Sequence, residues 1–312
     1  MNNTDSYTCK ICKNTLGNQP IKIYELAFGS HDEFIYFKCP ECGCLQIAEV
    51  PQNVAKYYPS DQYYSYRPTT SSSLKNMLHR FLLSGYYHGF ISEYTRYVRT
   101  YGWASILRKS KISKAASILD VGCGSGHALQ EMHAWGYTNL TGIDPFIEKE
   151  IFYPSGVRIY KTDIYNYKEQ KFDLIMMHHS FEHMDNPSEV LTECYKLLNP
   201  GGRILIRIPV VDCYAYRKYG INWFQIDSPR HFYLHTTSSM SLLAKQTGFT
   251  IEEIKHDSRV AQFINSEKYI RNITLPEDIK ILQKDKKMFQ RLTKFVNATH
   301  DGDQACFILK KQ

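Results

Sequence analysis

The 312 residues amount to about two domain lengths, with 43% hydrophobic and 22% charged residues. These are ordinary values for a folded chain, and they exclude a disordered or fibrous main state. No run of 18 apolar residues occurs, which excludes a transmembrane helix on pattern, and the opening MNNTDSYTCK lacks the apolar core of a secretory signal. A cytoplasmic chain without membrane insertion is therefore expected. The net charge of +7 suits an acidic partner, but without a localised basic patch it does not by itself point to nucleic acid.

Five of the nine cysteines precede residue 45. Cys9 and Cys12 form one C-x2-C pair, and Cys39 and Cys42 a second. Two such knuckles can close a tetrahedral shell of four thiolates, which suits a structural Zn2+ with no open position. Gly43, and Asn14 after the first pair, tolerate the left-handed backbone that such knuckles need. Between the pairs, residues 21–28 and 33–38 read as strands joined by a Gly-Ser-His-Asp turn. So small a ribbon cannot build a core alone, and its metal would supply folding energy. Cys44 reads as a packing residue.

A tyrosine-rich stretch at 56–66 and a Ser/Thr/Pro run follow. The tyrosines either lie over a ligand or pack the ribbon against the next domain. Leu74, Met77, Leu78, Phe81 and Leu82 then share one helical face, and helical pattern continues to about residue 110.

The strongest signal is DVGCGSG at 120–126. An apolar strand runs into a loop with Gly122, Gly124 and Gly126, and a helix over 127–135 follows. Glycines there allow a sharp turn and close approach of backbone to a ligand, and no Walker lysine is present. A second strand ends at Asp144, a third leads to Asp163, and a fourth at 172–177 runs into HHSFEH at 178–183. LNPGG at 198–202 turns into a fifth strand over 203–208, and 304–310 reads as the last strand. Residues 261–303 give no readable pattern.

In order and spacing these segments resemble the class I S-adenosylmethionine (SAM)-dependent methyltransferases. The resemblance extends outward through FKCPECGCLQ and YYPSDQYYSY, and through DSPRHFYLHTTSSM at 227–240. There it is similar to a zinc-knuckle-bearing bacterial subgroup acting on sugars and surface-polysaccharide precursors. The resemblance implies an α/β fold: a Rossmann-like, seven-stranded methyltransferase sheet with an N-terminal zinc ribbon. Residues 1–50 would be the ribbon, 51–110 a linker with N-terminal helices, and 111–312 the SAM-binding domain. It implies further that Gly122, Gly124 and Gly126 touch the methionine end of SAM, with Asp120 near its amino group. Asp144 would hold the ribose, Asp163 and Ile164 the adenine edge, Pro145 or Phe146 the adenine face, and His178 would lie by the methionine moiety. For Asp120, Asp144 and Asp163 the competing reading is turn capping.

Methyl transfer needs alignment of nucleophile, methyl and sulfur, and a base where the acceptor is an alcohol or carbon acid. His183, Glu182 and His179 follow strand four, where substrates meet cofactor in open α/β folds. Helix capping is the competing reading for Glu182 and His183. Trp223, Arg230 and His231, with Tyr233, form a second group suited to a sugar ring and a phosphate or carboxylate. The expected partner is a small molecule, with a nucleotide-linked sugar or glycan precursor favoured. A zinc-finger-bearing RNA methyltransferase and a non-catalytic binding module are the alternatives.

Overall fold

A computed structural model describes residues 7–58, 81, 107, 112–271 and 279–312. The helical face expected at 74–82 and most of the 51–110 connector lie outside these residues; within it, Phe81 and Leu107 are helical.

The chain opens with β1 (Gln19–Tyr24), β2 (Glu33–Lys38) and β3 (Leu45–Ile47). After the connector come β4 (Ser117–Val121), α1 (His127–Ala134), β5 (Asn139–Ile143), β6 (Ile151–Phe152), β7 (Arg158–Tyr160) and β8 (Phe172–His178). Then follow α2 (Pro187–Leu197), β9 (Leu198–Pro209), α3 (Tyr214–Tyr219), β10 (Tyr233–Leu234), α4 (Thr237–Gln246) and β11 (Phe249–His256). The chain closes with α5 (Ala261–Ile270), α6 (Ile279–Ala298) and β12 (Gln304–Lys311). No helix among the described residues is long and apolar enough to cross a membrane.

Eight strands form one sheet in the order β11-β12-β9-β8-β4-β5-β7-β6. Its centre is parallel: β4 pairs with β5 on one side and β8 on the other. A strand flanked on both sides in such a sheet reads as a continuous apolar run, and all five residues of β4 are buried. Asp120 is its single charged member. The eighth strand, one more than expected, is the two-residue β6, antiparallel to β7. The tight turn that Gly156 closes at φ +88° folds it back, with the Gly156 amide donating to the Tyr153 carbonyl at 2.9 Å. β9 begins at Leu198, five residues ahead of the predicted start. Within it Gly201 takes φ +71°, and at Gly202 an added Cβ would lie 2.9 Å from the Asn199 carbonyl.

The contacts divide the chain into two units, with β9 and β12 contributing residues to each. One unit holds Ser60–Ser180, Thr192–Ile206 and Ile308–Gln312. Its core is built from Ile118, Leu119, Leu129, Met132, Ile143 and Ile175, all essentially fully buried. Each such side chain contributes about 1.5–3 kcal/mol through burial.

The other unit holds Met1–Pro59, Phe181–Leu191 and Arg207–Phe307. Its four-stranded sheet runs β1-β2-β3-β10. β1 and β2 form a hairpin, and β3 joins β2 antiparallel. The fourth strand is drawn from far along the chain: Tyr233 pairs with Gln46, and Leu234 with Leu45. The same unit packs Phe263 of α5 on Phe289 of α6, rings stacked at 5.5 Å. Both helices lie in the stretch that shows no readable pattern in the sequence.

Candidate cofactor and metal sites

β4 delivers the chain to a loop in which Gly122, Gly124 and Gly126 all take positive φ, at +72°, +53° and +77°. A side chain is excluded at Gly122 twice over, because an added Cβ would also lie 2.5 Å from Cβ of Ser180. The loop is held from three directions. The Gly122 amide donates to the Ile143 carbonyl at 2.8 Å, the Ser180 hydroxyl to the Val121 carbonyl at 2.7 Å, and the Tyr153 hydroxyl to the Ser125 carbonyl at 2.7 Å.

Asp144 follows β5 and ties loop and strand together. Its Oδ2 accepts from the Gly124 amide and its Oδ1 from the Phe146 amide, each at 2.8 Å. Burial raises its pKa and these amides offset part of the rise. Asp120 is only 3% exposed, and burial, with the Asp144 charge adding to it, pushes its pKa up to about 8. Two buried acids beside a glycine loop favour a ligand that brings positive charge. That donor set fits a group carrying a sulfonium and an ammonium.

Of the other residues read as cofactor contacts, Pro145 and Phe146 are exposed, with Phe146 at 73%, and Ile164 is buried. Asp163 caps a turn: its Oδ1 accepts from the amides of Tyr165 and Asn166 and from the Asn166 side chain. Capping is thus what the structure shows for Asp144 and Asp163, while each carboxylate keeps lone pairs for a further donor. His178 ends β8, and His179 turns the chain at φ +53°.

The four ribbon cysteines converge. Sγ of Cys9 lies 3.6 Å from that of Cys42, and Sγ of Cys12 lies 3.4 Å from that of Cys39. A tetrahedral S4 shell with metal–sulfur bonds of about 2.3 Å needs sulfurs about 3.8 Å apart, so the set fits one thiophilic ion with little movement. The hydrogen bond from Cys42 holds the Cys9 thiol down at about 4. Gln46 donates to Cys9 Sγ at 3.1 Å, a contact that ligand spacing does not reveal. Gly43 takes the left-handed backbone as expected, at φ +73°. In the first knuckle, however, Lys13 does so, at φ +63°, rather than Asn14. The Asn14 side-chain Nδ2 instead donates to the Leu16 carbonyl and reaches Cys39 Sγ at 3.8 Å.

A second cluster lies in the unit that contains the ribbon. Glu182, His183 and His231 offer ligand atoms that all lie within 4.8 Å of one another. His183 Nδ1 lies 2.8 Å from the Arg230 carbonyl and 3.1 Å from the Tyr58 hydroxyl. His231 Nδ1 lies 2.7 Å from the Gln225 carbonyl. A carbonyl only accepts, so each Nδ1 carries a proton, and a ring in its neutral form then presents its lone pair at Nε2. His231 Nε2 faces Glu182 Oε1 at 3.9 Å and Asp227 Oδ2 at 3.7 Å. Burial, with His231 beside it, lowers the pKa of His183. The sequence separates His231 from Glu182 and His183 as a substrate residue, and the structure brings the three together. His179 is not among them.

Arg230 is 1% exposed, and its donors are spent inside the protein. Its Nε donates to Asp227 Oδ2 at 2.9 Å, its Nη2 to Asp227 Oδ1, and its Nη1 to the Tyr57 carbonyl at 3.0 Å. Phe28 stacks 4.6 Å from the guanidinium, and Glu25 lies 3.8 Å away. This guanidinium positions the Asp227–His231 segment and leaves no fork open to a phosphate. Trp223 is likewise buried, with Nε1 donating to Asp303 at 3.2 Å. Asp227, three residues before Arg230 and four before His231, is a partner that this spacing could have revealed.

A model described as a methyltransferase domain matches residues 94–254, just over half of the chain. The ubiquinone biosynthesis O-methyltransferase of Dechloromonas aromatica is 34% identical over 99 residues, 28% of this chain and 42% of that protein. That of Pseudomonas putida strain GB-1 is 32% identical over 113 residues, 31% of this chain and 48% of that protein. The chain thus spans less than half the length of the curated relatives it matches. Among solved structures, the 1,6-didemethyltoxoflavin-N1-methyltransferase of Burkholderia thailandensis aligns at a TM-score of 0.44 and 14% identity, over 79% of this chain and 92% of that one. With the family model spanning the glycine loop, both strand-end acids and the segment after β8, the chain belongs to the methyltransferase-domain family.

Proposed function

We propose that the protein transfers a methyl group from SAM to a small-molecule acceptor. One observation carries this reading: within the matched methyltransferase domain, two buried acids and a left-handed glycine loop form a cradle complementary to a cationic ligand. SAM brings an already electrophilic methyl group, so the protein's tasks are to bind, orient and manage the acceptor's proton. Gly122, Gly124 and Gly126 bring backbone to the methionine end, and Asp120 takes the amino group. Asp144 takes the ribose with the lone pairs its amide donors leave. Asp163 and Ile164 serve the adenine edge, and exposed Phe146 with Pro145 its face. His178 borders the methionine moiety. Glu182, His183 and His231 form the group where the acceptor's proton is handled, with His179 as an alternative contact.

The four ribbon thiolates hold a structural zinc, a reading supported by the convergence of all four sulfurs within 4.8 Å of one another. The curated relatives are named O-methyltransferases, which supports an oxygen acceptor. A nucleotide-linked sugar or glycan precursor remains the proposed class, resting on the sequence resemblance.

Isothermal titration with SAM and S-adenosylhomocysteine tests the reading. Binding at micromolar Kd, weakened at least tenfold in Asp144→Ala, is expected. Folded protein that binds neither would sink it. Transfer of labelled methyl into a panel of nucleotide sugars and phenols then identifies the acceptor class.

A further inference from the structure

The geometry points to a second metal site, distinct from the thiolate cluster: a divalent first-row transition ion held by Glu182 and by Nε2 of His183 and His231. Three observations support it. First, the donors are of the right kind and number. Two imidazoles and one carboxylate make a mixed nitrogen–oxygen set that suits Zn2+, Fe2+, Co2+ or Mn2+ and leaves coordination positions open. Second, both histidines are oriented for the task. Each donates Nδ1–H to a backbone carbonyl, at 2.8 Å for His183 and 2.7 Å for His231, the outer-shell arrangement that fixes a ligating ring and its tautomer. Third, the surroundings are acidic. Asp227 lies 3.7 Å from His231 Nε2, and the buried Arg230 is already shared between Asp227 and Glu25.

The donor atoms lie within 4.8 Å of one another. Bonds of about 2.1 Å require donor separations of about 3.0–4.2 Å, so closure needs side-chain movement of at most about an ångström. The three residues come from a short turn after β8 and from the segment leading into β10, both within one unit.

The open positions would take an oxygen of the acceptor. That role rests on the methyl-transfer reading, whereas the site itself does not. An oxygen so bound loses its proton far more readily than in water.

The test uses the full chain and Co2+, read without SAM. Two equivalents are expected. The thiolate site gives intense sulfur-to-cobalt absorption in the near ultraviolet, and the nitrogen–oxygen site only weak visible bands. His231→Gln and Glu182→Gln should each lose the second equivalent, or weaken it by about tenfold or more, while keeping the first. Cys12→Ser should do the reverse. Retained near-ultraviolet circular dichroism shows that each variant is folded. Because the stoichiometry of the unmodified chain is read directly, a variant that fails to fold leaves the test standing. One equivalent in the unmodified chain, or two in both His231→Gln and Glu182→Gln, overturns the proposal; the first result makes the cluster a metal-free proton-sharing group. Failure to bind SAM would sink the methyl-transfer reading while leaving the stoichiometry to decide this one.

Discussion

Asp120 carries a consequence for pH at the scale of a single residue. Its carboxyl, raised to about 8, stays protonated in the ligand-free protein at neutral pH. A group whose folded pKa exceeds its unfolded value stabilises fully below the unfolded value, near 3.9, and loses that contribution as pH rises through the folded one. The Asp120 contribution to the melting temperature of the ligand-free protein should therefore fall away between about pH 4 and 8, and Asp120→Asn should flatten that fall, as scanning calorimetry would show. A cationic ligand draws the carboxyl into its charged form, so SAM binding at pH 7 should release close to one proton. Titration in buffers of different ionisation enthalpy measures this; an unchanged proton count in Asp120→Asn would assign it elsewhere. At Gly122, alanine meets both a left-handed backbone and Ser180, so a loss of about 1–3 kcal/mol is expected in denaturant unfolding. The glycines, the paired cysteines and the strand-end acids are legible in the sequence because spacing alone marks them. The fate of Arg230 is not, since its partners Glu25, Phe28 and Tyr57 stand some 170–205 residues earlier, and no local pattern announces a pairing at that distance.

Single elements show where periodicity succeeds and where it fails. The central parallel strands β4, β5, β7 and β8 are short runs bounded by turn residues, and each of these four is readable to within a few positions. β10 has two residues, too few for any alternation, and it exists as a strand because β3 offers it an edge. α6 hides for a different reason. Phe289 and Val296 are buried, but Met288 and Phe295, each one position earlier, are more than half exposed, so apolar residues fall on two faces and blur the period. α4 is the best-defined helix start. Thr236 caps it, accepting from the Ser239 amide while the Ser239 side chain returns to the Thr236 amide. The Thr236 hydroxyl also donates to the Cys42 carbonyl at 2.6 Å. Thr236→Val removes both contacts at once. A cost of about 1–2 kcal/mol is expected, with faster amide exchange at Cys42 and Gly43 as well as in the first turn of α4. Faster exchange confined to α4 would mean that the knuckle does not feel the cap.

For the whole molecule, the informative fact is that the ribbon belongs to a unit assembled from three separated stretches of chain. Tyr36 donates to the His231 carbonyl at 3.0 Å, and the Ile47 amide to the Phe232 carbonyl at 2.9 Å. Loss of the metal proposed for the ribbon should accordingly be felt at His231. Stripping the ribbon with a thiophilic chelator should raise hydrogen exchange across 230–236 at least tenfold, and exchange in β4 and β5 supplies the internal reference. Protection unchanged at 230–236 would show that the ribbon is an independent appendage. The parallel sheet and its cofactor loop are legible because contiguous sequence builds them. This second unit is not, because its order depends on which distant strand completes an edge. That completion also sets a timetable. Leu45 waits for Leu234, about 190 residues later, which at 5–20 residues per second is roughly 10–40 s of synthesis. Through that interval the β3 edge of the nascent ribbon has no partner strand, and an unpaired edge is open to pairing with the wrong neighbour.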